Sequence, residues 1–226
     1  MCLIPKPIYA VLGREIHRIS DEVLAMSNEE LADVGRMKYD GREFYECHEE
    51  PSALAISWIA TYISRPEKIL NAINEARQRG IKGLCFRWGL DEALAIALGR
   101  LLHERYAEWI EENGGAAEVQ IRSEINGVPI MGTADAVFCN GEYMAVAEVK
   151  SKATRFAEIQ AAIYAYALSK LLGDTVIPYV VNTYVVKKVK DTDEIMRIVV
   201  GRVGELWNLV LSSEEKTLKT SEQTQK

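Results

Sequence analysis

The stretch that decides the fold runs from Met131 to Tyr166 and reads MGTADAVFCNGEYMAVAEVKSKATRFAEIQAAIYAY. Residues 128–139 have strand composition, Asn140-Gly141 is the strongest short-range hairpin signal, and residues 144–150 read as the returning strand. Asp135 and Glu148 are therefore expected on adjacent antiparallel strands. Side chains two apart on a strand share a face, so Glu148 and Lys150 point the same way while Val149 packs into the opposite layer. Two carboxylates and an amine then converge at one end of a hairpin. Glu-Val-Lys alone is a common solvated edge pattern. Here it ends Ala-Val-Ala-Glu-Val-Lys, an almost wholly apolar strand, where charges are uncommon without a purpose.

This set suits one kind of chemistry. Hard divalent cations such as Mg²⁺ take oxygen ligands and keep waters that can be activated for attack on phosphorus. An ammonium beside them orients the water and offsets charge building on a phosphate.

Working outward, residues 117–125 read as a strand that Asn126-Gly127 turns into the next, giving a three-stranded antiparallel meander. Gly132, three residues before Asp135, removes a side chain where a backbone or a phosphate can approach. Ahead of the meander, residues 91–113 form a long helix closed by Gly114-Gly115, with Leu94, Leu98, Leu101, Leu102 and Tyr106 as its apolar stripe. His103 falls on the border of that stripe. Such a histidine is ordinarily a satisfied core residue, and its place just before the hairpin makes it a candidate metal ligand. After the meander, residues 154–172 form an alanine-rich helix with Gln160 and Tyr164 four apart on one face. These two are either an ordinary surface pair or part of the site. Residues 177–188 read as an apolar strand entering a basic turn, 193–212 as a final amphipathic helix, and 214–226 as a disordered tail.

The N-terminal part reads as helical. Residues 1–12 are expected to be an extended lead-in, and 13–35 to be helical with Ser20 and Ser27 as caps. Residues 38–50 read as a polar loop, where Cys47 and His48 lie beside acids without the second half of a ligand set. Pro51 and Pro66 each open a helix, running to Ser64 and Gly80. Trp58 and Tyr62, four apart, read as core rather than as a base-stacking platform.

Composition sets the bounds. At 226 residues, 48% hydrophobic and 27% charged, the chain reads as a soluble globular protein, one domain or a core with a helical addition. No run is long enough to cross a bilayer and residues 1–12 lack a signal peptide's features, so no membrane partner and a cytoplasmic location are expected. The net charge of −6 disfavours indiscriminate nucleic-acid coating but does not exclude a nuclease, whose carboxylates distort the total. Basic clusters occur at Arg77, Arg79, Lys82 and Arg87, at Lys150, Lys152 and Arg155, and at Lys187, Lys188 and Lys190. Only the second is expected beside the proposed chemistry. Cys2, Cys47, Cys85 and Cys139 form no C-x-x-C pair; a disulfide is unassignable from sequence, and reduced, buried thiols are the default. Abundant Ile, Val, Glu, Lys and Arg with little Gln lean toward a thermophile.

As an ordered set, Gly99-x-x-x-His103, Gly132-x-x-Asp135, Glu148-Val149-Lys150 and Gln160-x-x-x-Tyr164 resemble the motifs of the RecB-like branch of the PD-(D/E)xK nuclease superfamily. That branch includes CRISPR-associated RecB-like exonucleases and nucleases of archaeal viruses. The resemblance spans residues 91–172. It implies an α/β fold: a restriction-endonuclease-like core with a central mixed sheet flanked by helices over residues 91–212, plus a helical N-terminal region over 1–90. It implies that His103, Asp135 and Glu148 are metal ligands, with Val149 counted in the same set. Lys150 would be the catalytic lysine, and Gln160 with Tyr164 would support the site or contact DNA. Many members bind an iron–sulfur cluster through one early and three late cysteines. No cysteine follows Cys139, so no cluster is expected.

The resulting expectation is a Mg²⁺- or Mn²⁺-dependent deoxyribonuclease acting on DNA, in the cytoplasm or, for a viral protein, the host cytoplasm, with homo-oligomerisation left open. Two other classes stand beside it: a catalytically silent nucleic-acid-binding module of the same fold, and an acidic protein-interaction protein. The unbroken set His103, Asp135, Glu148 and Lys150 favours the first.

Overall fold

A computed structural model of the chain describes residues 5–139, 143–150 and 154–211. In chain order it opens with α1 (Ile8–Leu12), α2 (Glu15–Leu24), α3 (Asn28–Val34), β1 (Lys38–Tyr39), β2 (Phe44–Glu49) and β3 (Leu54–Ala55). There follow α4 (Ile56–Tyr62), a 3₁₀ turn (Pro66–Lys68), α5 (Ile69–Gln78), β4 (Gly83–Trp88) and the long α6 (Leu90–Glu112). The chain continues through β5 (Ala116–Ile125), β6 (Val128–Cys139), β7 (Met144–Val149), α7 (Arg155–Leu172), β8 (Val176–Val181), β9 (Val186–Lys188) and α8 (Thr192–Leu211).

The meander forms as its sequence predicts. β5, β6 and β7 are antiparallel, with Ile125 opposite Val128 and Ala136 opposite Ala147. α7 then carries the chain over the sheet, so that β8 returns parallel to β7, and β9 turns back antiparallel on β8. The result is a mixed α/β architecture, a central mixed sheet flanked by helices.

The pairing along β6 is uneven, and this positions the site. β5 runs along one edge of β6 from Val128 to Val137. The other edge is shared: β3 pairs in parallel with Ile130 and Met131, and β7 pairs with residues 136–139. Between them, residues 132–135 face no strand on that side.

Both faces of the sheet are covered, which is why β7 and β8 are apolar runs rather than alternating ones. On one face Ile59, Ala161, Ile163, Val199 and Leu206 from α4, α7 and α8 pack against Ile121, Ile130, Val146 and Val180. Five buried alanines of α7 (Ala157, Ala161, Ala162, Ala165 and Ala167) let that helix lie close to the strands. On the other face Ile8 of α1 and Leu102, Tyr106 and Ile110 of α6 pack against Ala136, Phe138, Ala147, Val149 and Val181. A third cluster, including Val23, Leu31, Phe44, Ala93 and Ala97, joins the N-terminal helices to α6. No helix among the described residues is long and apolar enough to cross a membrane.

Several local expectations are corrected. Residues 38–50 are not a loop: β1 and β2 form a three-stranded antiparallel sheet with β4, a strand not recognised in the sequence. Phe44-Tyr-Glu-Cys-His-Glu carries too many polar groups to read as a strand by itself. It is held by partners about forty residues away, with Cys47 directly opposite Cys85. Those two cysteines are joined in a disulfide, so the reduced default fails for them. Residues 8–12 are helical rather than extended, held by Ile8 N–H to the Asn182 carbonyl at 3.0 Å and Tyr9 N–H to the Thr183 carbonyl at 2.8 Å. Ser27 caps α3 in a reciprocal capping box with Glu30, whereas Ser20 lies inside α2. The helix expected from Pro51 starts only at Ile56, after β3, and the one from Pro66 begins as a 3₁₀ turn. The strand expected over 177–188 is two strands, β8 and β9. The Asn140-Gly141 turn, Lys152 and the tail 214–226 lie outside the described residues.

Candidate metal site

The end of the β6–β7 ladder leaves Val149 with two backbone groups that regular pairing would have given to β6. Buried peptide groups must find partners, and here functional side chains supply them. The Val149 N–H donates to Asp135 Oδ2 at 2.6 Å, and the Val149 carbonyl lies 2.6 Å from His103 Nε2. A carbonyl only accepts, so Nε2 carries the proton and, in the neutral ring, Nδ1 presents its lone pair. That Nδ1 faces Asp135 Oδ1 at 3.5 Å. A histidine fixed by donating one ring nitrogen to a carbonyl while the other faces a carboxylate is oriented as metal-binding histidines usually are.

β6 changes face at Asp135. Ala134 belongs to the cluster under α7 and Ala136 to the cluster under α6, although residues two apart on a regular strand share a face. Opposite, the register of β5 passes from Ala117–Ala136 to Val119–Ala134, which places Glu118 across from Asp135. Glu118 has φ +50°, a left-handed conformation rare for a residue with a Cβ. The paired irregularity brings Glu118 to the site. One ligand atom from each of His103, Glu118 and Asp135 lies within 4.8 Å of the others, a group that could hold a divalent cation.

Glu148 and Lys150 complete the cluster. Glu148 is the one fully buried charged residue among those described, with 0% exposure. Its Oε1 contacts Lys150 Nζ and its Oε2 has no hydrogen-bond partner. Burial pushes the Glu148 carboxyl up to about 8, helped by the Asp135 charge and opposed by Lys150. Burial works against the Lys150 ammonium, but the charges of Glu148 and Asp135 overcome it and hold the group above the usual lysine value. Lys150 Nζ also lies 3.8 Å from Asp135 Oδ2, and its backbone N–H is tied to the Val181 carbonyl at 2.9 Å. An unpartnered buried oxygen beside an oxygen- and nitrogen-rich group fits a hard or borderline divalent cation. His103, Glu118 and Asp135 are the groups that could hold it, with Glu148 next to them through Lys150; the Val149 carbonyl is taken up by His103 Nε2 on the far side of the ring, and the Val149 side chain is buried in the core.

Gln160 and Tyr164 do not enter this cluster. Both lie on α7, where the buried Tyr164 hydroxyl donates to the Thr133 carbonyl at 2.8 Å and Gln160 stands one turn earlier on the same face. Thr133 lies in the unpaired stretch of β6, so Tyr164 does there what a neighbouring strand would otherwise do. Burial, and then the Glu148 charge, hold the Tyr164 phenol above its usual value, so it remains a neutral donor. Tyr164 also explains Gly132, where a Cβ would stand 2.7 Å from Tyr164 Oη. The close approach expected at this glycine comes from a tyrosine, not from a backbone or a phosphate.

Sequence reasoning missed Glu118. It alternates with Gln120, Arg122 and Glu124 on the exposed face of β5, and only the cross-strand register singles it out. The basic clusters also rearrange. Glu148, Val180 and Lys187 occupy one row across β7, β8 and β9, which puts Lys187 roughly 10 Å from Glu148 at ordinary strand spacing. Lys187 and Arg155 share the Glu158 carboxylate, which merges two clusters into one beside the site. In the remaining cluster Arg79, Arg87 and Lys82 are engaged by Asp40, Glu43, Glu75 and Glu50.

No family model and no curated protein sequence matches this chain. Among solved structures it is similar to SSO0001, with 17% identity over 83% of each chain and a TM-score of 0.47. It is also similar to a candidate exonuclease from Eubacterium rectale, with 13% identity over 70% of this chain and 67% of that one and a TM-score of 0.39. Likeness at this level leaves the functional reading to rest on the geometry of the site.

Proposed function

We propose that this chain is a divalent-metal-dependent DNA nuclease of the RecB-like PD-(D/E)xK kind, using Mg²⁺ or Mn²⁺ and no iron–sulfur cluster. The observation that carries the reading is the meeting of His103, Asp135, Glu148 and Lys150 at the fork between β6 and β7, with Glu148 Oε2 buried and unpartnered. When bound, the cation would supply a polarised phosphate and an activated water. The protein's own part is positional. Asp135 and His103 are locked by the Val149 peptide groups, and Lys150 is held against the carboxylates, where its ammonium can meet charge building on a phosphate. Tyr164 is a positioning residue that braces β6 behind Asp135, with Gln160 one turn before it on α7.

In support of a cluster-free enzyme, Cys47 and Cys85 are bonded to each other. We place the enzyme in the cytoplasm. A disulfide is unusual there except in hyperthermophiles, which agrees with the thermophilic lean of the composition.

Incubation with circular and linear, single- and double-stranded DNA in Mg²⁺, Mn²⁺ or EDTA tests the reading. Cleavage that needs the metal and is lost in Asp135→Ala is expected. Binding without cleavage under any metal would replace it with a silent binding module, and neither binding nor cleavage would overturn it.

A further inference from the structure

The chain leaves the site through Lys150 and, four residues later, caps α7 with Thr154, whose side chain accepts the Ala157 N–H at 3.4 Å. Four residues span at most roughly 14 Å. What fixes the first turn of α7 therefore bears on where the Lys150 ammonium stands.

The sheet meets that turn from another direction. Glu148, Val180 and Lys187 form one row across β7, β8 and β9. Val146, two residues before Glu148, and Val180 both belong to the cluster under α7, so the row faces that helix. At its end the Lys187 ammonium contacts the carboxylate of Glu158, in the first turn of α7.

Glu158 is not an ordinary surface acid. Its side chain is 13% exposed, and Arg155 shares the carboxylate at 3.0 Å. Burial works against its charge, but Lys187 and Arg155 overcome this and hold the carboxyl below its usual value. Exposed ion pairs contribute little, whereas a largely desolvated carboxylate depends on its cations. Arg155 belongs to α7 itself, so the pair with Lys187 is the one that joins two elements.

The far end of this tie is anchored. β9 is paired with β8 from Tyr179–Lys188 to Val181–Val186, and Val181 accepts the Lys150 amide at 2.9 Å. A closed frame results. It runs from Lys150 through Val181 to β9, across Lys187 to Glu158, and back along the chain to Lys150.

We propose that Glu158 is a positioning residue for the reaction: its ion pair with Lys187 pins the first turn of α7 beside the Glu148–Lys150 pair and thereby fixes the Lys150 ammonium in place. This rests on the nuclease reading above and adds to it a residue outside the ordered motifs from which that reading starts. Single-turnover cleavage at saturating enzyme and Mn²⁺, on the DNA form that the wild type cleaves, tests it, with DNA affinity measured alongside by fluorescence anisotropy. Glu158→Ala should lower the cleavage rate roughly ten- to a hundredfold, the scale of a misplaced catalytic group, while DNA affinity stays equal or rises because an acid has been removed. A purely structural Glu158 would instead lower the urea midpoint and leave the rate of the folded protein unchanged. Lys187→Ala, at an exposed position outside the core, should lower the rate by a similar factor, and the double variant should lose no more than either single one. A wild-type rate in Glu158→Ala, a loss that Lys187→Ala does not share, or full multiplication of the two losses would overturn the tie while leaving the nuclease reading standing. Absence of metal-dependent cleavage by the wild type would remove both.

Discussion

The carboxylate of Asp135 accepts the peptide N–H of Val149 at 2.6 Å, where an unbroken ladder would have placed a carbonyl of β6. One side chain thus both ends a strand pair and faces the metal group. Fold and site are therefore coupled, and substitutions can be chosen that keep the first and remove the second.

Asp135→Asn retains an oxygen that can accept the Val149 amide but loses the negative charge. The expected outcome is a folded protein with Mn²⁺ affinity lowered roughly tenfold or more, since even outer-shell changes cost metal sites about ten- to a hundredfold. Glu118→Gln should behave similarly, and Glu124→Gln, on the same exposed face of β5, should not. Calorimetry with Mn²⁺ reads this directly, and a Glu118 variant with normal affinity would remove Glu118 from the ligand set.

Lys150→Ala should lower the single-turnover cleavage rate about a hundredfold at saturating enzyme and metal, the scale of a lost electrostatic donor in the transition state. Lys188→Ala, an exposed lysine on the neighbouring edge strand, should change salt dependence and binding but not the chemical step. Equal, small losses from both would sink the catalytic assignment of Lys150.

Glu148 gives a pH dependence of definite sign. Its folded-state carboxyl is pushed up to about 8, above the roughly 4.3 of an unfolded glutamate, so the folded chain holds this proton more tightly. Stability of the metal-free protein should therefore be greatest at acid pH, as far as this group is concerned. It should fall as pH rises from about 4.3 to about 8. Urea midpoints in EDTA across that range should decline for the wild type and stay flatter for Glu148→Gln. Added Mn²⁺ should restore the loss at the alkaline end by binding the ionised carboxylate.

Gly132→Ala should be costly, because its Cβ would stand 2.7 Å from Tyr164 Oη and 3.2 Å from Ile56 Cβ. A loss of about 1–3 kcal/mol is the usual price of such overpacking. Placed in a Tyr164→Phe background, which removes the nearest atom, the same change should cost less. Chemical denaturation of the four proteins in this double-mutant cycle would show the coupling, and strict additivity would refute it.

The Cys47–Cys85 bond closes a loop of sequence separation 38. Loop-closure entropy gives it a stabilising effect of up to about 4 kcal/mol. Denaturation with and without a thiol reductant should show a large drop on reduction in the wild type and none in Cys47→Ser/Cys85→Ser.

The sequence by itself determined the central meander, the two helices around it and the order of the site residues. Asn126-Gly127 and the apolar runs of β6 and β7 are local signals, and a strand's period of two places Glu148 and Lys150 together without reference to anything distant. Position relative to the meander was enough to mark His103, because α6 leads straight into it.

What the sequence left undecided depended on partners far along the chain. β2 is a strand because β4 pairs with it, and Cys47 meets Cys85 only through that register. Glu118 joins the site because β5 and β6 kink opposite each other, and the basic residues near positions 155 and 187 meet only across β8 and Glu158. Tyr164 reads locally as half of a surface pair, and becomes buried because it fills the edge of β6 that neither β3 nor β7 covers. Local propensity carries no information about which edge of a strand stays open. Long-range pairing decides that, and the open edge is where the site lies.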